Sequence, residues 1–217
     1  GDDVYTKVQI INLGLGKISS SLISRIDPPQ SSLERFCADG YENWKRTEIA
    51  KRRWVFAIDD EVALPMIEER DGSEFRYVYQ LPTDCLRPIR LKRDTWRQRR
   101  RTIQAHDRDL RVSLVMNVPE SELDPIFVEV LACRVALECV EYVTQSNTKM
   151  EAASVLYDRA VTDATRANSF VIGPENITND DSASIAIGDR TLAEGNAGTT
   201  AFSFTVTLTG NVQGGFQ

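Results

Sequence analysis

The order of apolar and polar positions divides the 217-residue chain into stretches of helical spacing, stretches of strand-like alternation and a polar tail. Residues 4–54 carry helical spacing on either side of a Ser- and Pro-rich break at about 17–30, which predicts two helices joined by a loop. Ser31 followed three residues later by Glu34 fits a capping box, in which a hydroxyl accepts from the amide of the third helical residue and that residue's carboxylate accepts from the cap amide. Leu33, Phe36, Cys37, Gly40 and Trp44 then recur every three or four residues, so the helix buries one face. Lys51, Arg52 and Arg53 fall in its last turn, where cations complement the carbonyl end of the helix dipole. The helix should end near 53, with Trp54 opening extended chain.

Between about 55 and 118 the period shortens. Runs at 54–58, 75–80, 88–93, 99–105 and 110–116 predict a small antiparallel meander. Turn residues in Arg70-Asp71-Gly72-Ser73 and His106-Asp107-Arg108-Asp109 separate the runs, and Pro82 and Pro88 suit strand ends or edges, where a missing donor is tolerated. Asp124-Pro125 then marks a helix start, a capping side chain followed by a proline at the first helical position. Ile126, Val130, Cys133, Leu137 and Val140 form a stripe that Phe127, Leu131 and Val135 widen, giving a core helix to about Gln145. After a break at Ser146-Asn147-Thr148 a second helix runs to about Asn168, with Ala153, Leu156, Tyr157, Ala160, Ala164 and Ala167 on one side. Packing this hairpin (helices about 124–168) on the N-terminal pair (about 4–54) predicts an α+β fold over residues 1–170. It is a bundle of about four helices with a small antiparallel β region, about 55–118, inserted in the middle.

From Gly173 the chain turns to Gly, Thr, Asn, Ser and Ala, with five acidic residues and Arg190 as the one base, so residues 171–217 read as a linker followed by strands. Phe202, Phe204, Val206 and Leu208 alternate with polar residues as in a half-buried strand, and 184–192 supplies a second. Two strands do not make a stable module in water, so the pattern expects partners elsewhere or beyond Gln217.

Composition narrows the chemistry. A hydrophobic share of 41% with 27% charged residues is that of a folded globular chain. The net charge of −6 and a pI near 5.0 argue against binding nucleic acid or anionic membrane through the whole surface. Yet the charge is segregated: from Arg87 to Arg111 ten basic residues stand against three acidic ones, a local +7. Trp96 is the one aromatic interleaved there, too few for a base-stacking surface, so the patch reads as a solvated or subunit-contacting face with salt-sensitive assembly. Cys37, Cys85, Cys133 and Cys139 lack the spacing of a zinc site, and Cys133 and Cys139, six apart in an apolar helix, read as buried small hydrophobes in preference to a disulfide, which points to a reducing compartment. His106, the single histidine, stands among arginines and reads as a solvated loop residue. There is no phosphate-cradling loop, dinucleotide turn, signal segment or apolar run of membrane-spanning length. Neither an enzyme activity, nor a resident cofactor, nor a membrane partner is expected.

Four segments carry a resemblance to a known family. They are Ile11-Asn12-Leu13-Gly14-Leu15-Gly16-Lys17-Ile18 in the opening helix, SSLERFCADGYENWKRTEIAKRRWVFA leading through Trp54, YVYQLPTDCLRPI from Tyr77, and DPIFVEVLACRVALECVEYVTQS from Asp124. In order and length, residues 9 to about 170 resemble the head-to-tail adaptors of short-tailed bacteriophages, the tail tubular protein A type. The resemblance implies a structural virion protein of the tail or neck, made in the host cytoplasm. It implies a homo-oligomeric, dodecameric ring that joins the portal protein to the tail nozzle, of the tail tubular protein B type, and lines the channel through which DNA passes without specific binding during ejection. On this reading the long C-terminal helices and the tail face the portal. The β region meets neighbouring subunits or the nozzle, with Arg97, Arg99, Arg100 and Arg101 as candidate assembly-interface residues.

The segment SIAIGDRTLAEGNAGTTAFSFTVTLTG from Ser184 resembles the opening of a Calx-beta module, an immunoglobulin-like β-sandwich that in many members binds Ca2+. By position Glu194 matches that family's first acidic ligand and Asp189 is a second candidate. Because calcium takes about six to eight oxygens, the two carboxylates would be part of a Ca2+ site. The resemblance keeps open an alternative function, a calcium-dependent surface or adhesion protein that uses this C-terminal module.

Overall fold

The computed structural model describes residues 5–91, 94–172, 184–187 and 206–209, and the chain divides into two units, Gly1–Gly173 and Pro174–Gln217. In the first unit, capping decides where helices begin. Thr6 caps α1 (Lys7–Lys17) reciprocally with Gln9, and Ser31 caps α2 (Ser32–Lys51) reciprocally with Glu34. Asp124 caps α3 (Pro125–Val143), accepting from the Ile126 amide at 2.8 Å. α4 (Asn147–Ile172) follows after a three-residue link and runs past the expected end at 168. α2 stops at Lys51 rather than 53, and Arg52 is already extended at φ −139° and ψ 170°. The indole of Trp54 donates to the Glu48 carbonyl at 3.0 Å, satisfying an acceptor of the last turn that one more helical residue would have used.

α3 is the helix against which the other three pack. Its residues Val130, Leu131, Val135 and Ala136 are fully buried. α1 approaches it most closely at Gly14, where a Cβ would lie 2.5 Å from the Ala132 carbonyl oxygen and 2.7 Å from Val135 Cβ. α4 meets it through buried Ala153, Ala160 and Ala164.

The segment between α2 and α3 corrects the expected architecture. A bundle of about four helices with a small inserted β region does not describe the unit. It is α+β with four described helices and two antiparallel sheets whose strands interleave in sequence. The strands are β1 (Ile58–Ala63), β2 (Met66–Glu69), β3 (Tyr77–Gln80), β4 (Cys85–Ile89), β5 (Arg97–Arg99), β6 (Thr102–Ala105) and β7 (Arg111–Met116). One sheet has the order β1-β7-β4, the other β2-β3-β6-β5. No meander forms, because the second sheet is made of two hairpins, β2–β3 and β5–β6, each sent out between successive strands of the first and joined to each other where Tyr77 faces Ala105 and Gln80 faces Thr102.

Period-two alternation explains the layering. On β7, Val112 and Leu114 pack with Leu64, Tyr79, Leu81, Trp96 and Ile103 in a core between the sheets, whereas Val115 joins Ile89, Trp54 and Phe127 in the helical core. β7, the central strand of the first sheet, is therefore covered on both faces, with helices on one side and the second sheet on the other, while the edge strand β1 stays largely exposed. Individual strands also differ from expectation. Residues 55–57 make a 3-10 turn before β1, β4 begins three residues early, and the run 99–105 splits into two strands at Arg100, whose φ is 54°. β2 was not anticipated, since all four of its residues are exposed and no alternation marks it.

In the second unit, β8 (Ser184–Ile187) pairs antiparallel with β9 (Val206–Thr209), Ser184 opposite Thr209 and Ile187 opposite Val206. Phe202 and Phe204 of the expected strand lie outside the described residues. Among the described residues no helix is long and apolar enough to cross a membrane.

Candidate functional site

The four arginines singled out from sequence lie on the β5–β6 hairpin, but they do different things. Arg97, on β5, is half-buried: its Nε donates to Gln104 Oε1 at 2.9 Å and its guanidinium covers the Phe75 ring at 4.0 Å. Arg99 and Arg100 are exposed, Arg99 donating to the neighbouring Gln98 carbonyl at 3.1 Å and Arg100 occupying the left-handed turn. Arg101 reaches back across the sheet and donates to the carbonyls of Cys85, at 2.7 Å, and Pro82. It ties the exposed hairpin tip to the link between β3 and β4, so Arg97 and Arg101 are both engaged within the chain and Arg99 and Arg100 are the more available of the set. Trp96 is 4% exposed and cannot serve as a base-stacking platform.

At the opposite edge of the same sheet lies a surface that the sequence reading missed. β2 exposes Met66, Ile67, Glu68 and Glu69. Glu68 pairs with Arg70 at 2.8 Å and Glu69 with Arg76 at 2.6 Å. The available signal was the Asp71-Gly72 turn, with Gly72 at φ 72°, which calls for a strand on each side. The run between His106 and Arg111 is also exposed in large part, and the His106 ring lies 4.6 Å from that of Phe75.

The segments that carry the family resemblance turn out to hold the fold in place. Asn12 pins the loop after α1, donating to the Ile23 carbonyl and accepting from the Ile23 amide, both at 2.9 Å. Glu34 is 6% exposed and accepts from Gln30, Ser31 and Ser24 amides and the Ser24 hydroxyl. The Gln30 amide foremost, with those other donors, holds its carboxyl down at about 2. Lys45, 3% exposed, donates to the Val118 carbonyl at 3.1 Å and pairs with Glu120 at 3.0 Å, anchoring α2 to the chain entering α3.

Glu48 is the most enclosed charge. Fully buried on α2, it accepts from Arg134 of α3 at 2.6 Å, Lys51 at 2.8 Å and the Tyr157 hydroxyl of α4 at 2.9 Å. Arg134 is shared with Glu138 at 2.6 Å. Lys51, read from sequence as a helix-dipole partner, is thus also a link to α4 through Tyr157 at 2.9 Å.

The four cysteines are free and buried. Cys37 and Cys139 face each other across α2 and α3 with Sγ atoms 3.9 Å apart, and burial pushes the Cys133 thiol up to about 11. Among the described residues no group of three or more His, Cys, Asp or Glu side chains is arranged to hold a metal ion. The calcium candidates Asp189 and Glu194 lie outside the described residues. No model of a known protein family and no curated protein matches the sequence.

Proposed function

We propose that this chain is a ring-forming head-to-tail adaptor, a structural virion protein that seats on a portal protein, offers a docking surface to the tail nozzle and surrounds the channel through which DNA leaves. One observation carries the reading: the four segments that resemble this family, scattered over more than a hundred residues, all contribute to the helical core, the third dividing between it and the core between the sheets. Gly14 of the first segment abuts Ala132 and Val135 of the fourth. Trp54 of the second meets Phe127 of the fourth edge-on, ring centroids 5.2 Å apart. Leu86 and Ile89 of the third pack into the same cluster. A resemblance confined to one helix would reflect a common packing pattern, whereas joint placement of all four argues for a shared framework.

Two surfaces suit the role. α4 exposes apolar Val155 (57%) and Phe170 (81%), positions that a partner such as the portal would cover. The β hairpins carry charged edges directed at neighbouring copies or the nozzle. The test is the particle mass by light scattering of the 24.4 kDa chain alone and mixed with the portal protein encoded in the same genome. A step in portal mass equal to a whole number of chains supports the adaptor reading. Portals that stay unoccupied while the chain remains free overturn it.

A further inference from the structure

The sheet β2-β3-β6-β5 ends in two edges of opposite chemistry. Among the described residues no strand pairs with the outer side of β2 or of β5. β2 and the turn after it, residues 66–76, carry four acidic side chains against two basic, and Met66 (41%) and Ile67 (55%) are exposed among them. Around β5, residues 97–105 carry four arginines and no acid. Unpaired amides and carbonyls at an open edge recruit another strand, and the charges, the short β5 and the bulge in β2 restrict which strand can do so.

We propose that the β5 edge of one copy docks on the β2 edge of a second copy, so that the sheet runs on from subunit to subunit. The inference deepens the adaptor reading and rests on it for the closure of the assembly into a ring. Two features favour a second copy as the occupant. The charges are complementary: Arg99 and Arg100 on one edge, Glu68 and Glu69 on the other. Every neighbouring pair in this four-stranded sheet is antiparallel, so β5 runs opposite to β2. A copy rotated about an axis along the strands then presents its β2 antiparallel to β5, in the geometry that the sheet already uses. The present partners of Glu68 and Glu69, Arg70 and Arg76, are exposed and bind weakly enough to be shared. Because one edge meets a different edge, the contact is head-to-tail. It propagates until a rotation closes it instead of stopping at a dimer.

The experiment uses the full chain and two charge reversals, R99E/R100E and E68K/E69K, followed by sedimentation velocity over a concentration series at low ionic strength, with circular dichroism to check folding. None of these four side chains holds the core together, and Arg101 is left intact. The wild type should grow beyond the dimer with concentration and dissociate with salt. Each variant alone should associate at least about tenfold more weakly. An equimolar mixture should regain association, since native edges then meet native edges and reversed edges meet reversed ones. A wild type that stays monomeric throughout, variants that associate like the wild type, or a mixture that stays monomeric would each overturn the proposal. If a reversal perturbs folding, the neutral pair R99Q/R100Q and E68Q/E69Q should weaken association in the same direction, and no change with them counts against the edge contact. Portal binding that both reversals leave untouched would remove the edge contact and keep the adaptor reading. Complementation without portal binding would do the reverse.

Discussion

Replacing Glu48 by Ala removes the one carboxylate on which α2, α3 and α4 converge. Arg134, with a side chain 17% exposed, loses its 2.6 Å partner, and the Tyr157 hydroxyl loses its acceptor. Breaking a buried ion pair from one side costs about 3–5 kcal/mol, because the remaining charge is left without its counterpart. Arg134 keeps Glu138 at 2.6 Å and the Lys51 side chain, 38% exposed, turns to water, so the lower end applies, about 3 kcal/mol. For a domain of this size each kcal/mol shifts Tm by about 2–4 °C, which gives a fall of about 6–12 °C. Urea unfolding followed by tryptophan fluorescence reports the change, since the Trp54 indole is bonded to the Glu48 carbonyl and stands beside the network. The midpoint should drop with an unchanged slope, the mark of altered stability and not of altered compactness. The reasoning holds the stranded arginine responsible, so E48M/R134M should be more stable than Glu48→Ala alone. A Glu48→Ala midpoint equal to wild type, or no recovery in the double variant, would refute it.

Gly14→Ala should lower stability by about 1–2 kcal/mol, despite a gain of about 1 kcal/mol in helix propensity, because the new methyl meets a backbone carbonyl that cannot step aside; a raised Tm would contradict the close approach. Glu34 has its folded-state pKa depressed from 4.5 to about 2, so its contribution is complete above 4.5 and disappears as pH falls toward 2. Glu34→Gln should therefore lower the urea midpoint at neutral pH and flatten its decline over that acid range, and two parallel curves would show that the carboxylate is not what holds the loop. Arg101→Met should speed hydrogen exchange in residues 81–86 and 97–105 by freeing the hairpin from Pro82 and Cys85, whereas R99E/R100E should not. Equal exchange in both variants would mean that the Arg101 bonds carry no local stability.

Helix starts were legible because their signals are local. Ser31 with Glu34 and Asp124 with Pro125 act within three residues, and the α3 stripe repeats a single period over its length. The sheets were not legible, because pairing joins strands by compatibility across the chain and not along it. Ile58 pairs with Val115, and no spacing within either segment announces the other. The run Arg99-Arg100-Arg101 is uniform as sequence, yet a left-handed turn at Arg100 makes its members diverge, one to solvent and one to carbonyls sixteen or more residues away. The candidate surface was half visible in the same way. Its basic edge is a dense local run, but its acidic edge is spread over β2 and the turn after it, and its position across the sheet follows only from the strand order.

The central position of α3 has a consequence for how the chain comes to exist. Protein synthesis delivers α1 and α2 first, yet Ile11, Leu15 and Gly14 find their partners on a helix more than a hundred residues later. Until Val143 has left the ribosome, the apolar faces of the N-terminal helices lack their main partner and have only each other and the strands of the first sheet to close on. The seven strands emerge in between, so the early helices wait through the whole of the β segment. Fragments ending before α3 should therefore be the aggregation-prone ones. Of these helices, α1 and α2 are the ones that must wait longest to become stable.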